Sequence, residues 1–163
     1  MKRIAIFPGS FDPFTVGHES IVTRALPLFD KIIICIGYNS EKKQFFPIEK
    51  RIQWIKEAFE NNPKIEVETF CGLTVEYCQS KNAKFILRGL RTAADFEYER
   101  AIAQINKKMV YELESIFLLT TPEHTPITST IVRDIIRHGG NALQFLPKVK
   151  DPEAYKYKKQ PYV

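Results

Sequence analysis

Cysteine is scarce in this sequence, and the residues that commonly bind metals are not clustered. The three cysteines form no Cys-x-x-Cys pair, and the three histidines lack the spacing of a zinc site. No group of carboxylates has the spacing of metal ligands either. We therefore expect reduced thiols in the protein core and no metal ion held by protein side chains.

Long apolar runs, linkers and internal repeats are also absent. No apolar stretch approaches the length of a transmembrane span, and the chain begins with a strand-like run rather than a signal peptide. At 163 residues, 44% of them hydrophobic, the chain can bury about 70% of the surface that its unfolded state exposes. We expect one soluble, cytoplasmic domain, residues 1–163, with no membrane partner and with residues 151–163 as a C-terminal helix or tail.

The chain is only moderately basic. Its 24 basic and 19 acidic residues give a net charge of +5, and much of the excess lies near the end of the chain, where a solvated helix or tail face explains it. The other basic residues of interest follow predicted strands, which suits a small polyanionic ligand better than a duplex. We expect no nucleic acid partner. A nucleotide-binding or RNA-binding module without turnover is kept as an alternative, which steep salt dependence of RNA binding would favour.

Apolar runs alternate with amphipathic helical patterns along the chain. Strands are predicted near residues 3–8, 31–37, 65–70, 84–88 and 115–120, and helices near residues 17–29, 48–61, 73–81, 92–112 and 130–138. The strand runs are continuously apolar, as in strands that are covered on both faces. This repeated βα order predicts an α/β fold with a doubly wound, five-stranded parallel sheet of Rossmann type, whose ligands bind at the carboxyl ends of the strands.

The segment from Gly9 to His18 reads Gly-Ser-Phe-Asp-Pro-Phe-Thr-Val-Gly-His and directly follows the first predicted strand. We name it the phosphate turn, because a turn that leads into a helix directs free backbone N–H groups toward an anion. Taken alone, the segment is also consistent with an ordinary loop in which His18 is a solvated residue of the first helical turn. The polar segments later in the chain favour the interpretation that this turn binds phosphate.

Two basic segments follow the second and fourth predicted strands. Lys42 belongs to a polar loop, residues 39–43, which alone is typical of a solvated surface. Arg88 and Arg91 flank a Gly-Leu pair where an apolar strand ends. Guanidinium groups at such a position can donate several hydrogen bonds to a phosphate.

A third polar segment, residues 126–133, opens the helix that follows the fifth predicted strand. It reads Pro-Ile-Thr-Ser-Thr-Ile-Val-Arg. Its hydroxyl side chains are good helix N-caps. Together with the free N–H groups of the first helical turn, these hydroxyls can also hold the β- and γ-phosphates of a nucleotide.

These segments resemble, in order and spacing, those of the phosphopantetheine adenylyltransferases, which are nucleotidyltransferases related to class I aminoacyl-tRNA synthetases. The resemblance extends from residue 3 to about residue 147 and includes Asp-Phe-Glu-Tyr-Glu at residues 95–99. Thr15 stands where related cytidylyltransferases and mononucleotide adenylyltransferases usually have a second histidine. Ser10 replaces the threonine that is commoner in the family, and Thr128 replaces a serine, so both positions keep a hydroxyl group.

The resemblance assigns roles to particular residues of this chain. It implies that His18 stabilises the transition state and that Lys42, Arg88 and Arg91 are also catalytic. The acceptor would be bound by Ser10, Lys42, Thr74 and Arg88. ATP would be bound by Ser10, Phe11, His18, Gly89, Leu90, Arg91, Glu99, His124, Thr125, Pro126, Ile127, Thr128, Ser129 and Thr130.

The resemblance also implies a reaction. ATP and 4′-phosphopantetheine would give dephospho-coenzyme A and pyrophosphate by direct in-line attack on the α-phosphorus, without a protein nucleophile. Mg²⁺ is expected to accompany ATP, coordinated largely by phosphates and water. The resemblance implies a homohexamer as well. A related nucleotidyltransferase that uses another phosphate acceptor is kept as an alternative.

Overall fold

The computed structural model describes residues 2–38, 43–60 and 62–156. Within these residues the strands are β1 (Ile4–Gly9), β2 (Lys31–Gly37), β3 (Ile65–Phe70), β4 (Phe85–Leu90) and β5 (Glu114–Leu119). The α-helices are α1 (Val16–Ala25), α2 (Ile48–Ala58), α3 (Thr74–Ser80), α4 (Ala93–Met109) and α5 (Ser129–Arg137). Short 3₁₀ turns cover Leu26–Leu28, Leu143–Phe145 and Pro152–Tyr155.

All five strands are parallel and form one sheet in the order β3-β2-β1-β4-β5. The chain moves outward from β1 to β3 and then returns to the other side of β1 with β4. The order therefore reverses between β1 and β4, and a crevice opens at the carboxyl ends of strands at such a reversal. The predicted doubly wound, five-stranded α/β fold is confirmed.

The central strands are apolar throughout because both faces of the sheet are covered. Ala5 and Phe7 of β1 lie in a buried cluster with side chains of α1 and α2. Ile6, between them, lies in a second cluster on the opposite face, with Val75 and Cys78 of α3. Alternate residues of one strand thus contact different helical layers, which is why the run shows no polar alternation.

A third buried cluster lies beside the sheet and fixes the start of α5. Its members come from α2 and the residues just before it, from α5 and from the C-terminal residues, and include Phe46, Trp54, Val132, Leu146 and Tyr155. The rings of Trp54 and Tyr155 are 4.1 Å apart between centroids. Through this cluster the segment of residues 126–133, which carries the hydroxyl side chains, is held next to the phosphate turn.

The thiols follow the expected pattern in two positions out of three. Cys35 and Cys78 are buried, and burial raises the pKa of the Cys78 thiol to about 11. Cys71 is exposed at the end of β3. The expectation of core thiols is therefore wrong for Cys71.

Several helices are shorter than their sequence patterns predict. The helix predicted over residues 17–29 ends as an α-helix at Ala25, because Pro27 has no N–H to continue the ladder and a 3₁₀ turn follows. The expected C-terminal helix is a 3₁₀ turn over Pro152–Tyr155, and residues 157–163 lie outside the described part of the chain. Among the described helices, none has the length and apolarity needed to cross a membrane.

Candidate active site

A polar cleft of about 460 Å³ opens at the carboxyl ends of β1 and β4, where the strand order reverses. The phosphate turn, the residues after β4 and the start of α5 line this cleft. The predicted site residues among its lining are Ser10, Phe11, His18, Arg88, Gly89, Arg91, Glu99, His124, Ile127, Thr128, Ser129 and Thr130. A larger groove of about 910 Å³, between α2 and β3, contains no predicted site residue.

The N-terminus of α1 orients His18. Thr15 is the N-cap residue: its hydroxyl accepts the backbone N–H of His18 at 3.4 Å, and its own backbone N–H donates to Nδ1 of His18 at 3.0 Å. Because Nδ1 accepts a hydrogen bond, the neutral imidazole carries its proton on Nε2. This reciprocal cap leaves Nε2–H as the donor that His18 can offer to the cleft.

The surroundings of His18 keep its imidazole uncharged. Burial and the nearby positive charges of Arg91 and Arg88 lower the pKa of His18 from 6.5 to about 4. At neutral pH His18 is therefore a neutral hydrogen-bond donor, and the alternative of a solvated first-turn histidine does not fit its position.

Three phenylalanine rings enclose the imidazole of His18. Ring centroids lie 5.2 Å away for Phe11, 5.2 Å for Phe14 and 6.4 Å for Phe7. Phe11 has a φ of 46°, which is uncommon for a residue with a side chain. A Cβ atom at Gly9 would lie 2.7 Å from the Phe11 ring. Gly9 thus makes room for an aromatic ring of the protein itself.

Side chains of the segment that starts α5 hold the phosphate turn from the other side. The Ser129 hydroxyl donates to the Pro13 carbonyl at 2.8 Å, and Nη1 of Arg133 donates to the Asp12 carbonyl at 2.7 Å. The O–H of Ser129 is therefore used within the protein. The O–H groups of Thr128 and Thr130, whose oxygens accept other bonds, stay available as donors to a ligand.

Residues 88–99 form the facing side of the cleft, which we name the arginine wall. Arg88 donates to the Glu99 carboxylate from Nε at 2.9 Å and from Nη2 at 2.5 Å, and from Nη1 to the Pro8 carbonyl at 2.7 Å. Arg91 donates to Asp95 from Nε at 3.2 Å and from Nη2 at 3.4 Å. Both carboxylates lie on α4, so a phosphate that binds either arginine must compete with them.

A second cavity, of about 270 Å³, adjoins the cleft. It shares Pro8, Gly9, Arg88 and Glu99 with the cleft. The rest of its lining is mostly apolar and includes Gly37, Phe70, Thr74, Ile86, Ile102 and Ala103. The fold thus places Thr74, a predicted acceptor contact, in a compartment separate from the predicted ATP residues but continuous with them.

A few predicted site residues are not brought to the cleft. Leu90 is buried, with 5% of its surface exposed, so its side chain points into the protein. Thr125 and Pro126 precede the lining residues of the α5 segment and do not line either cavity. Lys42 lies outside the described residues. The ligand contacts predicted for all these residues stay predictions.

His124 lines the cleft close to the start of α1. Its Nδ1 is 2.9 Å from the Thr121 hydroxyl, and its backbone carbonyl would lie 3.8 Å from a Cβ atom at Gly17. The position is compatible with its predicted contact to ATP, which stays a prediction.

Sequence reasoning missed residues that shape the site without the usual marks of a ligand contact. Asp12 accepts the backbone N–H groups of Phe45 and Phe46 at 2.7 and 2.9 Å, and Asp95 lines the cleft beside Arg91. For Asp12 the sequence did contain a signal, because an aspartate that directly precedes a proline is typical of a turn. Across residues 2–38, 43–60 and 62–156, no group of three or more histidine, cysteine and carboxylate side chains could hold a metal ion.

Comparisons with known proteins identify relatives of this chain. The model of the cytidylyltransferase-like family matches residues 6–135. A phosphopantetheine adenylyltransferase of Christiangramia forsetii is 53% identical over 149 residues, which are 91% of this chain and 97% of that protein. One from Flavobacterium johnsoniae is 52% identical over 145 residues, 89% of this chain and 95% of that protein.

A solved structure shares the fold at low sequence identity. It is a bifunctional NMN adenylyltransferase/ADP ribose pyrophosphatase from Francisella tularensis, with a TM-score of 0.71 and 20% identity. The match covers 94% of this chain but only 47% of that chain, so this protein spans about half of its length.

Proposed function

The chain belongs to the phosphopantetheine adenylyltransferases, and we propose that it transfers the adenylyl group of ATP to 4′-phosphopantetheine. The products are dephospho-coenzyme A and pyrophosphate, and the reaction is a step of coenzyme A biosynthesis. One observation carries the proposal: a polar cleft and a more apolar cavity adjoin and share Arg88 and Glu99. A nucleotide in the cleft and a pantetheine arm in the cavity meet at these residues.

The cleft is suited to the triphosphate of ATP. The N-termini of α1 and α5 both border it, and each offers backbone N–H groups and the positive end of a helix dipole. Arg91 adds a positive charge, and Thr128 and Thr130 add hydroxyl donors. We assign the β- and γ-phosphates to the α5 side and the α-phosphate to the α1 side, next to His18.

The adjoining cavity is suited to the acceptor. 4′-Phosphopantetheine joins an anionic phosphate to a long uncharged arm, and the cavity joins Arg88 to an apolar lining that contains Phe70, Ile86 and Ile102. Thr74 offers the arm a polar contact. We retain Lys42, from the family resemblance, as a second cation for the acceptor phosphate.

The chemistry that we propose is direct displacement. A phosphate oxygen of the acceptor attacks the α-phosphorus, the bond from this phosphorus to the oxygen that bridges to the β-phosphate breaks, and pyrophosphate leaves with the electron pair. The Nε2–H of His18 donates to a non-bridging oxygen of the α-phosphate while charge builds there. Since positioning and charge stabilisation suffice, no protein nucleophile takes part.

The donor set of the cleft fits Mg²⁺ that arrives with ATP. Its carboxylates, Asp95 and Glu99, are paired with arginines, so phosphate oxygens and water would supply the ligands. The ion would neutralise part of the charge on the phosphates.

We also propose that the chain works in the cytoplasm as a homohexamer. The support for assembly in the described structure is α4, which has no buried residue and exposes Ile102, Ile105 and Met109. An apolar helix face of this kind is suited to contact a second copy of the chain. The native mass of the purified protein tests the number of copies.

A pyrophosphate-release assay tests the proposed function. With ATP and Mg²⁺ present, release should require 4′-phosphopantetheine and should yield dephospho-coenzyme A in equal amount. Equal or faster turnover with nicotinate mononucleotide would assign the chain to another phosphate acceptor. RNA binding with steep salt dependence and no pyrophosphate release would favour a non-catalytic module.

A further inference from the structure

Arg51 is a buried charge that the proposed reaction does not use. It lies on α2 and is 3% exposed. Burial lowers the pKa of its guanidinium, and the negative charges of Asp12 and Glu49 oppose that shift. A buried guanidinium destabilises a protein unless it is well paired. Its hydrogen-bond partners therefore indicate its role.

Those partners belong to two segments that border the site. Nη1 of Arg51 donates to the Ser10 carbonyl of the phosphate turn at 2.6 Å, and Nη2 donates to the Gln44 side chain at 2.7 Å. Asp12 completes the connection by accepting the N–H groups of Phe45 and Phe46. The phosphate turn is thus bonded to both the start of α2 and the residues just before it.

The bond to Ser10 fixes the direction of one peptide group. In a trans peptide the carbonyl oxygen and the N–H point in opposite directions. Because Arg51 holds the Ser10 carbonyl, the N–H of Phe11 points away from α2, and both Ser10 and Phe11 line the cleft. Among the hydrogen bonds of the described residues, none uses the Phe11 N–H.

The conformation of Phe11 shows that this peptide needs support. Its φ of 46° lies in the left-handed region, which costs free energy for a residue with a Cβ atom. Such a conformation persists only where its surroundings hold it. The aromatic packing holds the Phe11 ring, and the Arg51 bond holds the preceding carbonyl.

We propose that Arg51 is a positioning residue for ATP: it holds the Ser10–Phe11 peptide so that the Phe11 N–H donates to a nucleotide phosphate in the cleft. This inference rests on the proposed function for the identity of the nucleotide. Arg51 itself lies behind the turn and does not touch the ligand.

The test compares Arg51→Gln with a matched control, Gln44→Ala. The control removes the partner of Nη2 but keeps the bond to Ser10. For Arg51→Gln we expect the Kd for MgATP, measured by calorimetry without acceptor, to rise about ten-fold, as for the loss of one oriented hydrogen bond. The KM for 4′-phosphopantetheine should stay near that of the wild type. Gln44→Ala should leave the Kd for MgATP within about two-fold.

All measurements are made at a temperature well below the midpoint of thermal unfolding of the least stable variant. An unchanged Kd for MgATP in Arg51→Gln, or an equal loss for both substrates, would overturn the proposal, as would Gln44→Ala reproducing the loss. If Arg51→Gln does not fold, Arg51→Met, which removes every donor together with the buried charge, carries the same comparison. Wild-type protein that binds MgATP but makes no dephospho-coenzyme A would contradict the proposed function alone.

Discussion

The phosphate turn and the arginine wall face the same cleft but are built in different ways. In the phosphate turn, Asp12 and Thr15 are 8% and 1% exposed, and their bonds go mostly to backbone groups. In the arginine wall, the Arg91 and Asp95 side chains are 39% and 27% exposed and pair with each other. One side is a buried network around a neutral histidine, and the other is a set of partly solvated ion pairs.

This difference indicates two kinds of contribution to catalysis. Donors that stabilise a transition state must already be in place when charge develops, which the buried and hydrogen-bonded surroundings of His18 provide. Charges that bind the ground state can exchange one anionic partner for another, and in this structure the carboxylates on α4 are the partners of both arginines. We therefore expect mutations of His18 and its Thr15 cap to lower kcat and mutations in the arginine wall to raise KM.

The largest effect is expected for His18→Ala. Loss of one preorganised donor should lower kcat about 10²- to 10³-fold. The Kd for ATP should change much less, because the helix N–H groups and Arg91 remain. The matched control is His138→Ala, an exposed histidine at the end of α5 that should leave kcat unchanged.

Labelled nucleotide separates this role from covalent catalysis by the same residue. With α-labelled ATP alone, acid-quenched protein should carry no label. Label that stays on the wild type but not on His18→Ala would show an adenylyl-histidine and contradict direct displacement. A near-normal kcat in the variant would remove His18 from the mechanism.

The second prediction concerns pH. The pKa of His18 is lowered from 6.5 to about 4 in the folded protein, so between these values the unfolded chain binds a proton that the native state does not. The stability from this neutral histidine is complete above about pH 6.5 and is lost as the pH falls toward 4, by up to about 3 kcal/mol. Denaturant unfolding at pH 7 and 4.5 should show a smaller loss for His18→Asn than for the wild type. A kcat that titrates with His18 between pH 6 and 8 would contradict the neutral donor.

The third prediction tests the arginine wall. Arg88→Lys cannot bond Glu99 through two nitrogens and also reach the Pro8 carbonyl, so at least one charge-assisted bond, worth about 1.5 to 3 kcal/mol, is lost. We expect kcat/KM for 4′-phosphopantetheine to fall about ten-fold or more, mostly through KM. Because these bonds lie within the folded protein, the midpoint of thermal unfolding should also fall, by several degrees. A fall confined to kcat would mean that both sides of the cleft act alike.

The smallest effects are expected for substitutions of two helix N-cap residues, one on each side of the cleft. Thr15 caps α1 in the phosphate turn and Thr92 caps α4 in the arginine wall, each through its hydroxyl. Thr15→Val should cost about 1 to 2 kcal/mol of unfolding free energy and lower kcat, because it removes a buried bond that supports His18. Thr92 is exposed, so Thr92→Val should cost only about 0.5 kcal/mol of unfolding free energy and should leave kcat unchanged. Equal effects on kcat would contradict the difference between the two sides.

The sequence was sufficient to predict the sheet and to predict that most candidate site residues gather at one edge of it. β2 was predicted at residues 31–37, as observed, because a continuous apolar run in a parallel sheet has clear ends. Arg88 and His18 were predicted at one site because parallel strands bring their carboxyl ends to one edge. The end of α1 was predicted too late, since the helical pattern continues through Pro27 while the hydrogen bonds do not.

The supporting contacts could not be predicted in the same way. Arg51 reads as a solvated charge on an amphipathic helix, and only the packed structure shows it buried against Ser10. The bond from Arg133 to the Asp12 carbonyl spans 121 residues of sequence. Periodicity reports which face of a helix is buried, whereas such bonds depend on which distant atom lies opposite a given side chain.

The close approach of Gly9 to the Phe11 ring constrains how this turn can change over evolution. A side chain at position 9 would collide with a ring that is fixed among Phe7, Phe14 and His18. A smaller residue at position 11 would make room for it, but it would also leave the imidazole without one of its neighbours. Neither position can drift first without loss, so the two residues form an epistatic pair, and selection acting on the histidine also preserves the glycine.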